Sequence, residues 1–236
     1  MNALGQAVRE QFPQLMSALT DDPDVWALVI RGAGTRAFST GNDLKEVDAA
    51  GQAGRGIPTP MTGAFRNIFE SVLEVPKPTI ASISGYVLAG GFELALACDL
   101  RIASDDSLFG MPEVKIGMGA NFATVLLPRM IGRGAALELL YTGKRIDATR
   151  ALELGLLNEV VAKDSLQEET ERLVRSIVCN APLTLRRYKE MTTKGWELPI
   201  ASALRLNVGP NPYASQDRKE GVRAFLEKRP PQWTGK

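Results

Sequence analysis

Leu88-Ala89-Gly90-Gly91-Phe92-Glu93-Leu94-Ala95-Leu96-Ala97-Cys98-Asp99 sets one carboxylate inside an otherwise apolar helix, directly behind two glycines. Every residue from 92 to 98 except Glu93 is apolar, so the helix offers no wet face for that charge and must be packed on all sides. Gly90 and Gly91 allow a close approach to the backbone, and the leading N–H groups of a helix supply donors and a positive dipole end for negative charge. A first-turn Glu also complements the helix dipole without any ligand. Taken alone, the stretch leaves both readings open.

Met111-Pro112-Glu113 adds a second carboxylate to an apolar, Gly-rich stretch. Two carboxylates in restricted surroundings can hold one water between them or divide acid and base work; a Glu after proline is also an ordinary exposed turn residue. The chain contains no histidine, which removes Ser-His and Cys-His nucleophile pairs and the His-containing metal motifs. Proton transfer then falls to carboxylates, or to Tyr, Lys or Cys, and no metal ligand set is expected.

The 236 residues, 44% hydrophobic, suffice for a large α/β core. A net charge of +1 points to neither nucleic acid nor an anionic membrane as partner. The two cysteines, Cys98 and Cys179, do not make a disulfide framework, and Cys98 reads as a packed thiol. With no signal-like start and no apolar run of bilayer length, the chain reads as cytoplasmic.

Residues 25–31, 79–84 and 100–103 read as strands, and residues 48–63, rich in Gly, Ala, Pro and Thr, as a mobile loop beside Asn42. The second half reads as helical. A helix over 134–141 stops at Gly143, Asp147 caps one that stops at Gly155, and Ser165 with Glu168 forms a capping-box pattern opening a helix to Asn180. Pro182 opens a helix over 183–194 whose Arg186, Arg187, Lys189 and Lys194 read as a solvated face. Gly209-Pro210-Asn211-Pro212 breaks the chain before a last helix over 215–228. No repeat of fixed short period is visible.

Several motifs, in order, resemble the crotonase (enoyl-CoA hydratase/isomerase) superfamily over nearly the whole chain. They are Met1-Asn2-Ala3-Leu4, Ala37-Phe38-Ser39-Thr40-Gly41-Asn42-Asp43-Leu44-Lys45, Lys77-Pro78-Thr79-Ile80-Ala81-Ser82-Ile83-Ser84-Gly85-Tyr86, the Gly-Gly-Phe-Glu-Leu-Ala helix, Met111-Pro112-Glu113, Leu140-Tyr141-Thr142-Gly143 with residues 151–157, and residues 217–229. The resemblance implies an α/β fold: a ββα spiral core with a CoA-thioester site over residues 1–180, then a helical C-terminal trimerisation segment over 181–236. It implies a homotrimer or a dimer of trimers, an acyl-CoA substrate, and no cofactor beyond the coenzyme A of that thioester.

The same resemblance implies that the backbone N–H groups of Asn42 and Gly90 form an oxyanion hole for the thioester carbonyl, which turns into an enolate as chemistry occurs at Cα or Cβ. Loss of one such donor costs roughly 3–4 kcal/mol of barrier in other enzymes. Glu93 and Glu113 match the two catalytic carboxylates of hydratases, favouring addition or removal of water; isomerase or decarboxylase chemistry, or a non-catalytic binding role, are the alternatives. Ser39, Thr40, Gly41, Asp43 and Lys45 are implied to contact coenzyme A or substrate, with Phe225 against the adenine and Lys228 at a phosphate, often across a subunit boundary. Solvated cations on an amphipathic helix are the alternative for that last pair. Gly91, Asn121 and Phe122 are expected in the substrate pocket.

The chain departs from the family pattern in two places. After Glu113 the usual proline and diglycine of the loop are missing, and Phe122-Ala123 replaces the diglycine; Asn121 and Phe122 are expected to narrow the acyl pocket or to bond a polar acyl group. Met1 falls inside a segment that family members reach after a strand and a basic turn, which fits a late-assigned start better than a lost edge strand. The Gly-Phe-Glu-Leu-Ala-Leu-Ala run and Glu227-Lys228-Arg229-Pro230-Pro231-Gln232-Trp233 look closest to carnitinyl-CoA dehydratase-like members.

Overall fold

The structure is a computed structural model that describes residues 1–55 and 66–236. In chain order its elements are α1 Gln6–Asp21, β1 Leu28–Arg31, β2 Ala37–Ser39, α2 Leu44–Gln52, α3 Ile68–Leu73, β3 Thr79–Ile83, β4 Tyr86–Leu88, α4 Gly90–Ala97, β5 Leu100–Ser104, β6 Leu108–Gly110, α5 Asn121–Met130, α6 Arg133–Thr142, β7 Arg145–Asp147, α7 Ala148–Glu153, β8 Glu159–Val161, α8 Leu166–Val178, α9 Pro182–Gly195, α10 Ile200–Ala203 and α11 Gln216–Leu226.

Three successive strand pairs, β1–β2, β3–β4 and β5–β6, each send the first strand to one sheet and the second to another, and each is followed by helix. The sheets run β1-β3-β5-β8 and β2-β4-β6-β7; every pairing is parallel except β6 with β7. This is the ββα spiral that the resemblance implied. Its turns begin at residues 28, 79 and 100, so unequal connections hide the repeat from any fixed-period reading.

β3 is central, and all five of its residues are buried, the continuous burial expected of a parallel strand covered on both faces. β1 is shorter than the expected 25–31. Its ladder begins with Leu28 opposite Thr79, and the residue before Thr79 is Pro78, which has no N–H to extend the pairing. Trp26 instead closes a local turn, its indole N–H donating to Pro23 O at 3.2 Å.

Residues 48–52 correct the loop expectation: they complete α2. Asp43 caps this helix by accepting from Lys45 N–H at 2.9 Å, and Gln52 donates to Asp48 across one turn at 2.8 Å, so two good helix formers at Ala49 and Ala50 outweigh Gly51. Residues 56–63 of that expectation lie outside the described residues. α8 forms, but Ser165 does not cap it, because Ser165 already sits in a helical conformation closing a 3-10 turn over Lys163–Ser165. Gly143 stops α6 in the left-handed conformation, φ 56°, and Asp147 caps α7 through Arg150 N–H at 2.8 Å.

The expectation of a solvated basic face on α9 fails at Lys189. Its ammonium is buried and lies 2.8 Å from Asp99, while donating to Lys77 O at 3.0 Å and Thr79 Oγ1 at 3.2 Å. Burial lowers its pKa and Asp99 opposes that shift. The pair pins α9 to β3 and to the end of α4. Arg101 works on the same helix end. Only 6% exposed, it donates to Cys98 O at 2.6 Å, covering a carbonyl at the end of α4, and to Leu156 O at 2.6 Å in the segment after α7. Cys98 is packed as expected, with burial pushing its thiol up to about 12.

Candidate active site

The turn from β4 into α4 is set by Ala89, a non-glycine residue at φ 54°, ψ −134°. Such backbone costs about 1–3 kcal/mol and persists only where its surroundings hold it; here Ala89 N–H donates to Gly110 O at 3.0 Å. Ala89 O accepts the Phe92 and Glu93 amides at 2.8 and 3.1 Å, and among the described residues Gly90 N–H has no backbone acceptor.

Gly41 brings a second backbone segment to this amide. It adopts φ 82°, and a Cβ there would lie 2.7 Å from Gly90 N, so both conformation and contact demand glycine. The neighbouring Asn42 is held by a bridge to Leu4 whose bond runs from Leu4 N–H to Gly41 O at 2.8 Å, leaving Asn42 N–H out of it. Bracing comes from α2, where Glu46 accepts the first amide of α1, Gln6 N–H, at 2.9 Å and pairs with Arg9 at 3.0 Å. Arg9 in turn donates to Leu4 O at 2.6 Å.

Glu93, in the first turn of α4, is 6% exposed. Its Oε1 accepts two amides from the start of α5, Phe122 N–H at 3.0 Å and Ala123 N–H at 2.9 Å. Burial pushes its pKa up to about 7; the Glu113 charge acts in the same direction and the two amides oppose it. Glu113, in the 3-10 turn Pro112–Ile116, is 7% exposed, and its Oε2 has no hydrogen-bond partner among the described residues. Burial raises its pKa also. Two buried carboxylates, each with its pKa raised by burial, can pass protons to and from a bound molecule.

The other residues singled out in the sequence fall into four places. Ser39 is buried at the end of β2, its Oγ accepting Gly41 N–H at 3.2 Å; Thr40 donates its N–H to Met1 O at 3.2 Å; Asp43 and Lys45 open α2. Gly91 lies against β2, where a Cβ would meet Ser39 O at 2.2 Å, so its missing side chain serves the helix–strand approach. Asn121 and Phe122 begin α5, with Phe122 buried and stacked on Phe69 at 5.3 Å between ring centroids. Phe225 and Lys228, at the end of α11, are exposed.

Sequence reasoning missed the Ala123 amide, Phe69 and the Ala89 turn. An alanine carries no signal of positive φ, and backbone donors are invisible in side-chain chemistry; the break in the family's diglycine was the available hint. Cavities of about 270 and 880 Å³ lie elsewhere, one between the end of α1 and the start of α9 and one against β1 and α8, and Glu93 and Glu113 line neither. Among the described residues no group of three or more His, Cys, Asp or Glu could hold a metal ion, and no helix is long and apolar enough to cross a membrane.

The ββα spiral thus holds two buried carboxylates, Glu93 and Glu113, and a helix start whose first amide, Gly90 N–H, has no backbone acceptor among the described residues. The sequence matches the enoyl-CoA hydratase/isomerase family over residues 1–236, and the chain belongs to that family. It is 36% identical over 233 residues to a crotonyl-CoA hydratase of Syntrophomonas wolfei, covering 97% of this chain and 88% of that protein. It is 35% identical over 242 residues to a carnitinyl-CoA dehydratase of Citrobacter koseri, covering 100% and 91%. Among solved structures, an enoyl-CoA hydratase from Bacillus anthracis superposes with a TM-score of 0.85 at 32% identity, covering 99% of this chain and 91% of that one.

Proposed function

We propose that the protein is an enoyl-CoA hydratase that adds water to, or removes it from, the α,β double bond of an acyl-CoA thioester, with Glu93 and Glu113 as its acid–base pair. The observation that carries the reading is the asymmetry of the two carboxylates. Two amides on Glu93 Oε1 oppose the upward push of burial on that carboxyl, whereas Glu113 Oε2 is buried with no partner described to oppose it. In hydration, Glu93 takes a proton from water as its oxygen bonds to Cβ, and Glu113 gives a proton to Cα. One proton arrives at the pair and one leaves, so the pair's charge is unchanged.

The Asn42 and Gly90 amides receive the charge that gathers on the thioester oxygen, and nothing in this sequence of steps needs a separate cofactor. Ser39, Thr40, Gly41, Asp43 and Lys45 form the approach for the CoA arm. Phe225, 84% exposed, and Lys228 suit a role across a subunit boundary in a cytoplasmic homotrimer or dimer of trimers. Light scattering at micromolar concentration should then give three or six times the 25.6 kDa chain mass; an active monomer would remove the cross-subunit role.

A panel of 2-enoyl-CoA and 3-hydroxyacyl-CoA thioesters tests the reaction. Loss of the conjugated enoyl absorbance with stoichiometric 3-hydroxyacyl-CoA is expected. Double-bond migration in 3-enoyl-CoA with no hydration would make the protein an isomerase instead.

A further inference from the structure

The cavity of about 270 Å³ between the end of α1 and the start of α9 gathers donors and positive charge that the described residues do not satisfy. Lys77 stands in its wall, 3% exposed, and its ammonium donates to Leu19 O at 2.7 Å and to Asp22 O. That closes the end of α1 and uses two of the three ammonium donors. Burial lowers the Lys77 pKa, and the charge of Arg186, also in the wall, lowers it further; Asp22 and Asp21 oppose the shift less strongly. Arg186 itself has its Nε buried with no partner, and no carboxylate among the described residues pairs with it. Asp22 Oδ1 already accepts Asp24 N–H at 2.9 Å. The chain's last carbonyl here, Lys236 O, is engaged by the Gln216 and Asp217 amides at 2.7 and 3.1 Å. The start of α9 adds to the imbalance: Pro182 and Leu183 line the cavity, Ala181 supplies no side-chain cap, and Leu183 N–H has no acceptor among the described residues.

We propose that this cavity is a second ligand site, separate from Glu93 and Glu113, which takes a small phosphate-bearing anion: inorganic phosphate or a short phosphomonoester. A guanidinium offers Nε and one Nη side by side to two phosphate oxygens, and an uncapped helix start offers its amide to a third. The Lys77 ammonium adds charge from the opposite side of the Arg186 pairing. A buried unpaired donor and two neighbouring cations are each unfavourable, and one oxyanion relieves both. The volume falls below the range of drug-sized ligand pockets, which suits a phosphate with a short tail along Val25 and Trp26 and excludes a whole acyl-CoA. Because the wall is built from α1, α9 and the segment before β3, a bound anion ties the helical C-terminal part of the chain to the spiral core.

Isothermal titration and thermal melts of the intact chain with inorganic phosphate and with glycerol 3-phosphate, at ionic strength held constant with chloride, test the site without any turnover. One anion per chain should bind and raise the melt; tighter binding of glycerol 3-phosphate assigns the site to phosphomonoesters, and equal or weaker binding assigns it to free phosphate. Arg186→Gln should weaken binding at least about ten-fold, the effect of losing hydrogen bonds to a charged group, while melting in the absence of phosphate at or above wild type because an unpaired cation is gone. Arg186→Lys, which keeps the charge and loses the side-on fork, should weaken it in part. Arg187→Gln is the control, since Arg187 donates to Asn207 at 3.0 Å and does not line the cavity; its affinity should match wild type. Failure of both anions to bind, or wild-type affinity in the Arg186 variants, would overturn the proposal, as would an equal loss in Arg187→Gln.

Discussion

Replacing Glu93 by Gln is expected to lower kcat by about 10²- to 10⁴-fold, the range for loss of a positioned acid–base group, while making the folded protein more stable at neutral and alkaline pH. The two effects share one cause. Glu93 is held where burial pushes its pKa up to about 7 from 4.5, so the folded state binds a proton more tightly than the unfolded chain. For a carboxylate raised in this way, stability is greatest below the unfolded pKa and falls as pH rises from about 4.5 to about 7, after which the deficit is constant. The full shift corresponds to about 3 kcal/mol; Gln keeps an acceptor for the Phe122 and Ala123 amides but remains a buried polar group, so a gain of about 1–3 kcal/mol is expected above pH of about 7. At roughly 2–4 °C per kcal/mol for a chain of this size, the melt should rise by several degrees near pH 8 and converge with wild type near pH 4.5. A variant that loses activity yet melts below wild type at every pH would show that Glu93 does not carry this burial cost.

What the sequence revealed and what it hid follow from how far apart the causes sit. The apolar run around Glu93 and the strand Thr79–Ile83 were legible because burial is written in consecutive residues, and the fully buried α4 is its outcome. Lys189 misled because α9 alternates in a way that fits a wet face, while its partner Asp99 lies ninety residues earlier in the chain. Ser165 misled because the capping pattern holds only if the preceding residue is extended, and a 3-10 turn arrives first. At the site, both carboxylates and the glycines were visible as residue types. That Phe122 and Ala123 turn their amides on Glu93 was not, since the contact joins a helix start to a side chain twenty-nine residues before it and uses no side chain of its own.

The two adjacent glycines of α4 should fail in different ways when each is given a side chain. At Gly91 a Cβ would stand 2.2 Å from Ser39 O and 2.6 Å from Ser39 C. These are backbone atoms of a buried strand that cannot swing aside, so Gly91→Ala must push α4 off β2, and a loss of at least about 3 kcal/mol is expected, at the upper end for overpacking. At Gly90 the same atom would meet Leu4 Cδ1 at 3.4 Å and Gly41 Cα and Phe69 Cζ at 3.5 Å, ordinary contacts that a helix tolerates. The methyls of Gly90→Val reach further, toward Gly41, and would move the Gly41–Asn42 segment away from the Gly90 amide. Displacing one oxyanion donor costs about 10²–10³ in kcat, so Gly90→Val should lose activity of that order while its melt falls less than that of Gly91→Ala, since its contacts are with side chains and a loop rather than with buried strand backbone. Asn42→Ala, which keeps its N–H, should retain most activity. Thermal melts and kcat for the three variants decide the matter: a Gly91→Ala protein as stable as wild type would misplace the helix–strand contact, and a fully active Gly90→Val would mean that the amides of Gly90 and Asn42 do not meet a common oxygen.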